Sequence, residues 1–119
     1  MKTSIFLGKT KYSAGGHINI SYYGYNDQIA LFTTSSSGAE LKMTVCLDER
    51  PRDGCVWIKT WSENEGVLDA MEKTECFLLT GRKQKTGFVE AVEAEICGDL
   101  LSVLKNKNPP RHFYLGGLR

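Results

Sequence analysis

Glu65 and Asp69 stand four residues apart and Glu72 follows three further on, a spacing that in a helix brings the three carboxylates to one side. Paired carboxylates can divide acid and base roles when their surroundings push the two pKa values apart. Here the other side of the same helix would carry Val67, Leu68 and Met71, and Lys73 lies four residues beyond Asp69. That is the pattern of a solvated face on an amphipathic helix, so these carboxylates read as surface rather than as catalysts.

The four cysteines, at positions 46, 55, 76 and 97, contain no C-x-x-C pair, and His17 and His112 sit far from one another and from them. Structural zinc takes its ligands in close pairs, so no metal is implied. Cys46, Cys76 and Cys97 lie in apolar segments and read as small buried hydrophobes, whereas Cys55 follows a turn and reads as more exposed. Gly81 and Gly87 enclose Arg82, Lys83, Lys85 and Thr86 in a superficial imitation of a phosphate loop. A phosphate loop needs a strand before it and a helix after it, and none is expected there; a basic hairpin tip over 81–87 is the simpler reading. No G-x-S-x-G or H-E-x-x-H occurs. The sequence implies no cofactor and no catalytic residue.

Tyr12, Tyr22, Tyr23 and Tyr25 crowd the first strands, with Lys9 and Lys11 nearby. Exposed aromatics among basic residues make a stacking platform for single-stranded nucleic acid. Neighbours on a strand face opposite ways, however, so Tyr22 and Tyr23 cannot share one platform. The candidate partner-binding residues are Tyr23, Tyr25, Arg82, Lys83 and Lys85. Fifteen Lys and Arg against fourteen Asp and Glu leave a net charge of +1, too little for a global field that draws in nucleic acid or an anionic membrane.

These residues need elements to hold them. A chain of 119 residues, 41% hydrophobic and 24% charged, suits one globular domain. Its apolar runs are far shorter than the roughly 20 residues that cross a bilayer, and the patch Ile5, Phe6, Leu7 is too short for a secretory signal, so the expected location is the cytoplasm. Up to Trp61 the residues alternate as in strands: over 3–12, then Ile18, Ile20 and Tyr22 on one face, a hairpin into 28–34, and Leu41, Met43, Val45 and Leu47 on one face of a fourth strand. A short strand over 55–60 follows. Ser62 and Glu65 then form a capping box for one helix over 63–74, with Asn64 as an alternative cap. Strands over 76–79 and 88–97 flank the basic tip, and 100–105 reads as an extension of the last strand or a turn of helix. Residues 1–105 make one domain and 106–119 a proline-containing tail.

Two segments, Lys59 to Gly66 (KTWSENEG) and Thr86 to Ala91 (TGFVEA), resemble a family of small proteins of unknown function encoded on bacterial phages and conjugative elements. The resemblance covers roughly residues 40 to 97 and carries no catalytic residue. It implies a mobile-element setting, where small non-enzymatic proteins bind host factors, and it suggests that the two segments meet. Gly66 would then pack on the turn of Thr86, Gly87 and Phe88, covered by Trp57 or Trp61.

The expected fold is α+β, with six or seven mostly antiparallel strands in a curled sheet or partly open barrel packed on one helix. The expected function is that of a non-catalytic accessory protein that binds a protein partner, with single-stranded nucleic-acid binding as the alternative. No membrane is implied.

Overall fold

The alternation read along the first third of the chain becomes a hairpin. The computed structural model describes residues 5–24 and 27–106. Strands β2 (Gly16–Tyr22) and β3 (Ile29–Thr34) pair antiparallel with Ile20 opposite Leu31. Ile18 and Ile20 on one strand, and Ile29 and Leu31 on the other, are buried on the same side. β1 (Phe6–Leu7) and β4 (Glu40–Lys42) flank this pair, giving a curled half-barrel ordered β1-β2-β3-β4. The long first strand expected over 3–12 is thus only two residues among those described.

The fourth strand also stops early, at Lys42. Thr44 turns inward, where its Oγ1 accepts the Leu31 N–H at 3.1 Å and meets the Tyr23 hydroxyl at 2.9 Å. From that point the chain leaves β3 and runs beside β5 (Cys55–Ile58), through a bridge between Thr44 and Ile58 and a bond from the Val45 N–H to the Trp57 carbonyl at 3.0 Å. The segment 43–45 therefore joins the two sheets, with Met43 donating its N–H to the Leu31 carbonyl and accepting the Lys59 N–H, each at 2.9 Å. The second sheet is β5-β7-β6, with β6 Phe77–Thr86 and β7 Val89–Ile96.

Two corrections concern helices. The helix expected over 63–74 is shorter, α1 Val67–Thr74, and no capping box starts it. Ser62–Asn64 form a 3-10 turn in which Ser62 has φ +60 and makes no side-chain cap. Asn64 sets this geometry: its buried side chain donates to the Lys42 carbonyl at 2.7 Å and to the Lys59 carbonyl at 2.9 Å. The other helix, α2 (Gly98–Asn106), buries Leu100 and Leu104 one turn apart. Of the two readings of residues 100–105, an extension of the last strand or a turn of helix, the helix holds. Of the proline-containing tail, only Asn106 is among the described residues. One cluster of buried residues runs through both sheets and both helices, from Leu7 and Ile20 to Met71, Ile96 and Leu104. The fold is α+β, as the alternation and the change of period imply. Leu68, expected in the buried stripe of α1, is only half-buried, while Val67, Ala70 and Met71 supply that stripe.

Gly66 sits at the start of α1 with φ +90, and a Cβ there would lie 3.3 Å from the backbone nitrogen of Lys11. Lys11 donates that N–H to the Glu65 carbonyl at 3.2 Å, and its ammonium pairs with the Glu65 carboxylate at 3.3 Å. The close approach is thus to the N-terminal segment, and Phe88, at the tip of the β6–β7 hairpin, stays in solvent. Gly66→Ala is expected to cost about 1–2 kcal/mol, since an L-residue at positive φ is strained and the methyl presses on Lys11. Urea melts of the two proteins measure it. A gain in stability would mean that the turn relaxes freely.

Candidate functional site

Two places on the second sheet gather side chains with chemical potential, one on each face. On the face turned away from the core, Trp57 lies opposite Glu93 in the β5–β7 register. Glu93 is 0% exposed, in the middle of a strand. Its carboxylate accepts the Arg52 backbone N–H at 2.8 Å, the Arg52 Nε–H at 3.1 Å, the Arg82 guanidinium at 2.9 Å and the Thr80 hydroxyl. Arg82 also lies 5.2 Å from the centre of the Trp57 ring and reaches the Glu49 carboxylate at 3.5 Å. The Trp57 Nε1–H donates to the Glu49 carbonyl at 2.6 Å.

Burial pushes the Glu93 carboxyl up, but the bonds from Thr80 and Arg52 and the charge of Arg82 outweigh it and hold it below its ordinary value. A carboxylate held ionised and saturated by donors has no lone pair directed at a substrate and is a poor general base at neutral pH. The cluster is a clamp: it fixes the 49–52 loop and β6 to the outer face of β7. Cys55, at its border, is buried rather than exposed as expected. Burial, with Glu93 and Glu95 adding to it, pushes the Cys55 thiol up to about 11, which leaves it protonated and unreactive near neutrality.

On the other face, α1 and the first half of β6 bound a groove of about 810 Å³. Leu68, Met71, Phe77, Leu78 and Leu79 supply its apolar lining, and Asp69, Glu72 and Glu75 its rim. Leu78 and Leu79 are 58% and 59% exposed. Leu79 pairs with core-facing Ala94 and Leu78 with solvent-facing Glu95, so these neighbours expose apolar surface on both faces of the sheet. Lys73, one turn beyond Asp69, makes no ion pair with it. Of the carboxylates read from the sequence as one solvated face, Asp69 and Glu72 are exposed and border this groove, whereas Glu65 precedes α1 and pairs with Lys11.

The candidate residues from sequence do not converge. Tyr23 is half-buried, with its hydroxyl on Thr44, and burial raises it above the ordinary phenol value. Tyr25 lies outside the described residues. Arg82 is turned onto Glu93 and Trp57. Lys83 and Lys85 are exposed, though not on a turn: the segment expected as a basic tip is the second half of β6, and only Gly87 and Phe88 turn the chain. Of the basic residues near the tyrosines, Lys11 is paired with Glu65. Glu93 carries no local signal in the sequence, because its partners lie 41 and 11 residues away. The β6 edge carries little signal either, because strand order is not written in local pattern. The signal that was present is the adjacent pair Leu78-Leu79, which breaks the alternation of a half-buried strand.

No family model matches the chain, and no curated protein or solved structure matches it. Among the described residues, no helix is long and apolar enough to cross a membrane, and no group of three or more His, Cys, Asp or Glu is placed to hold a metal ion.

Proposed function

We propose that the protein is a non-catalytic accessory protein that acts by binding another protein, and that the partner docks along the β6 edge beside α1. The observation that carries this reading is the exposure of Leu78 and Leu79 on a terminal strand. A half-buried strand turns one of two neighbouring side chains into the core. Here both stand in solvent next to an apolar groove, and a bare apolar edge is a template for another chain. The mobile-element setting rests on the resemblance of the KTWSENEG and TGFVEA segments alone. The same reading keeps the protein in the cytoplasm, where its four free thiols stay reduced.

Leu79→Lys tests it, because an exposed side chain can be changed at a cost of about 0.5 kcal/mol or less. Affinity capture from the cells that encode the protein should retain a partner protein on the wild-type chain and on a Phe88→Lys control, and lose it on Leu79→Lys. Equal capture by all three would move the binding face elsewhere. Salt-sensitive binding of a single-stranded oligonucleotide, unaffected by Leu79→Lys, would instead favour the nucleic-acid alternative.

A further inference from the structure

In an antiparallel ladder the backbone groups of successive residues point alternately to the two sides of the strand. Cys97 donates its N–H to the Cys76 carbonyl at 2.8 Å, and Ile96 donates away from β6, to the Gly54 carbonyl at 3.0 Å. Phe77 pairs with Ile96 and Leu79 with Ala94, so by alternation Phe77 and Leu79 turn their N–H and C=O groups to the outer edge of β6, where no strand pairs among the described residues. Beyond Leu79 the edge closes. The register shifts between Leu79 and Lys83, Gly81 has φ +92, and the Arg82 N–H is taken by the Thr80 hydroxyl at 3.2 Å. Lys83 and Lys85 then project into solvent. Bulges and lysines are the devices by which an edge strand resists pairing, and β6 carries them in its second half only.

The open half adjoins the groove. Along that groove Asp69, Glu72 and Glu75 are exposed and, among the described residues, have no basic partner. An extended segment laid against Phe77 and Leu79 would set alternate side chains over Leu68 and Leu79, with its ends near these carboxylates. Building on the docking edge described above, we propose that the partner element is a short extended peptide segment that adds as a strand to β6, with aliphatic residues over the groove and Lys or Arg flanking them. A second copy of this chain fits worse. Pairing two open halves about a two-fold axis would bring the two acidic rims together, and pairing an open half with a closed one would meet the bulge.

The probe is a labelled peptide of about eight residues, a valine–threonine core flanked by two lysines at each end. Its controls are the same peptide with glutamate flanks and the same peptide N-methylated at alternate core amides. Fluorescence anisotropy with the full chain should show saturable binding of the lysine peptide that weakens with salt. Binding should fall about tenfold or more for the glutamate peptide, and likewise for the lysine peptide on a Glu72→Lys/Glu75→Lys variant. N-methylation, which removes donors to the edge, should abolish it, as should Leu79→Lys. Circular dichroism of each variant confirms that it is folded.

Equal binding of lysine and glutamate peptides, indifference to N-methylation, or no binding at all would overturn the proposal. If the peptides fail while Leu79→Lys still abolishes partner capture, the docking edge stands and the basic-strand partner falls. If Leu79→Lys changes neither, both fall. A concentration-dependent dimer in sedimentation, lost in Leu79→Lys, would assign the edge to a second copy and overturn the proposal.

Discussion

Glu93→Ala is expected to lower the free energy of unfolding by about 3–5 kcal/mol, the range for breaking a buried ion pair from one side. The carboxylate is the common acceptor for Arg52, Thr80 and Arg82, so its removal strands donors from the 49–52 loop and from β6 together. Glu93→Gln keeps the shape and isolates the charge, and its pH dependence has a definite sign. The folded-state carboxyl lies below its ordinary value, and the unfolded one titrates near about 4.3. The unfolded chain therefore binds the proton more readily, and the stabilisation is fully present above the unfolded value and lost as pH falls through the folded one. Urea melts of wild type and Glu93→Gln should differ most near neutrality and converge in acid. A gap independent of pH would mean that the Glu93 carboxyl titrates alike in the folded and the unfolded chain.

Trp57→Ala should cost a comparable amount, about 3–5 kcal/mol. The ring is 1% exposed, although it sits outside the main core. It fills the outer face of β5 between the Glu49 carbonyl and the Arg82 guanidinium, so truncation removes a hydrogen bond, a cation-π contact and most of a buried aromatic surface. Trp57→Phe should recover much of the loss but not the bond from Nε1, which is worth about 1 kcal/mol. Because Trp57 and Glu93 face each other across the ladder, the double variant should lose less than the sum of the single losses. Chemical melts of the four proteins close the cycle. Additive losses would show that the two side chains act independently.

What could be read from the sequence was whatever depends on near neighbours. The β2–β3 hairpin follows from the alternation of Ile18, Ile20 and Tyr22, and the buried stripe of α1 from the spacing of Val67 and Met71. The capping box failed because Ser62 and Glu65 satisfy a local motif, while the turn they occupy is set by Asn64 reaching Lys42 and Lys59. The basic segment after Gly81 looked like a turn because its residues are polar and glycine-bounded, yet pairing with β7 draws it into a ten-residue strand with a bulge. α2 had a signal in Leu100 and Leu104, blurred by the short span between Cys97 and the prolines. Neither candidate site was visible as a site, since the Glu93 clamp and the groove both depend on which strands become neighbours.

The order β5-β7-β6 also bears on how the chain reaches this structure. β5 is made first in the chain but has no place in its sheet until β7 exists, because β7 lies between it and β6. The β6–β7 hairpin closes over a two-residue turn and needs no distant partner, so it is expected to form early, with β5 pairing to β7 later and carrying the cost of the longer loop between them. Destabilising changes at Val56 should then act mainly by speeding unfolding, and changes at Ala91 by slowing folding. Until β5 docks, the half-barrel and the hairpin share no ladder, and β7 presents an unpaired edge to any strand nearby.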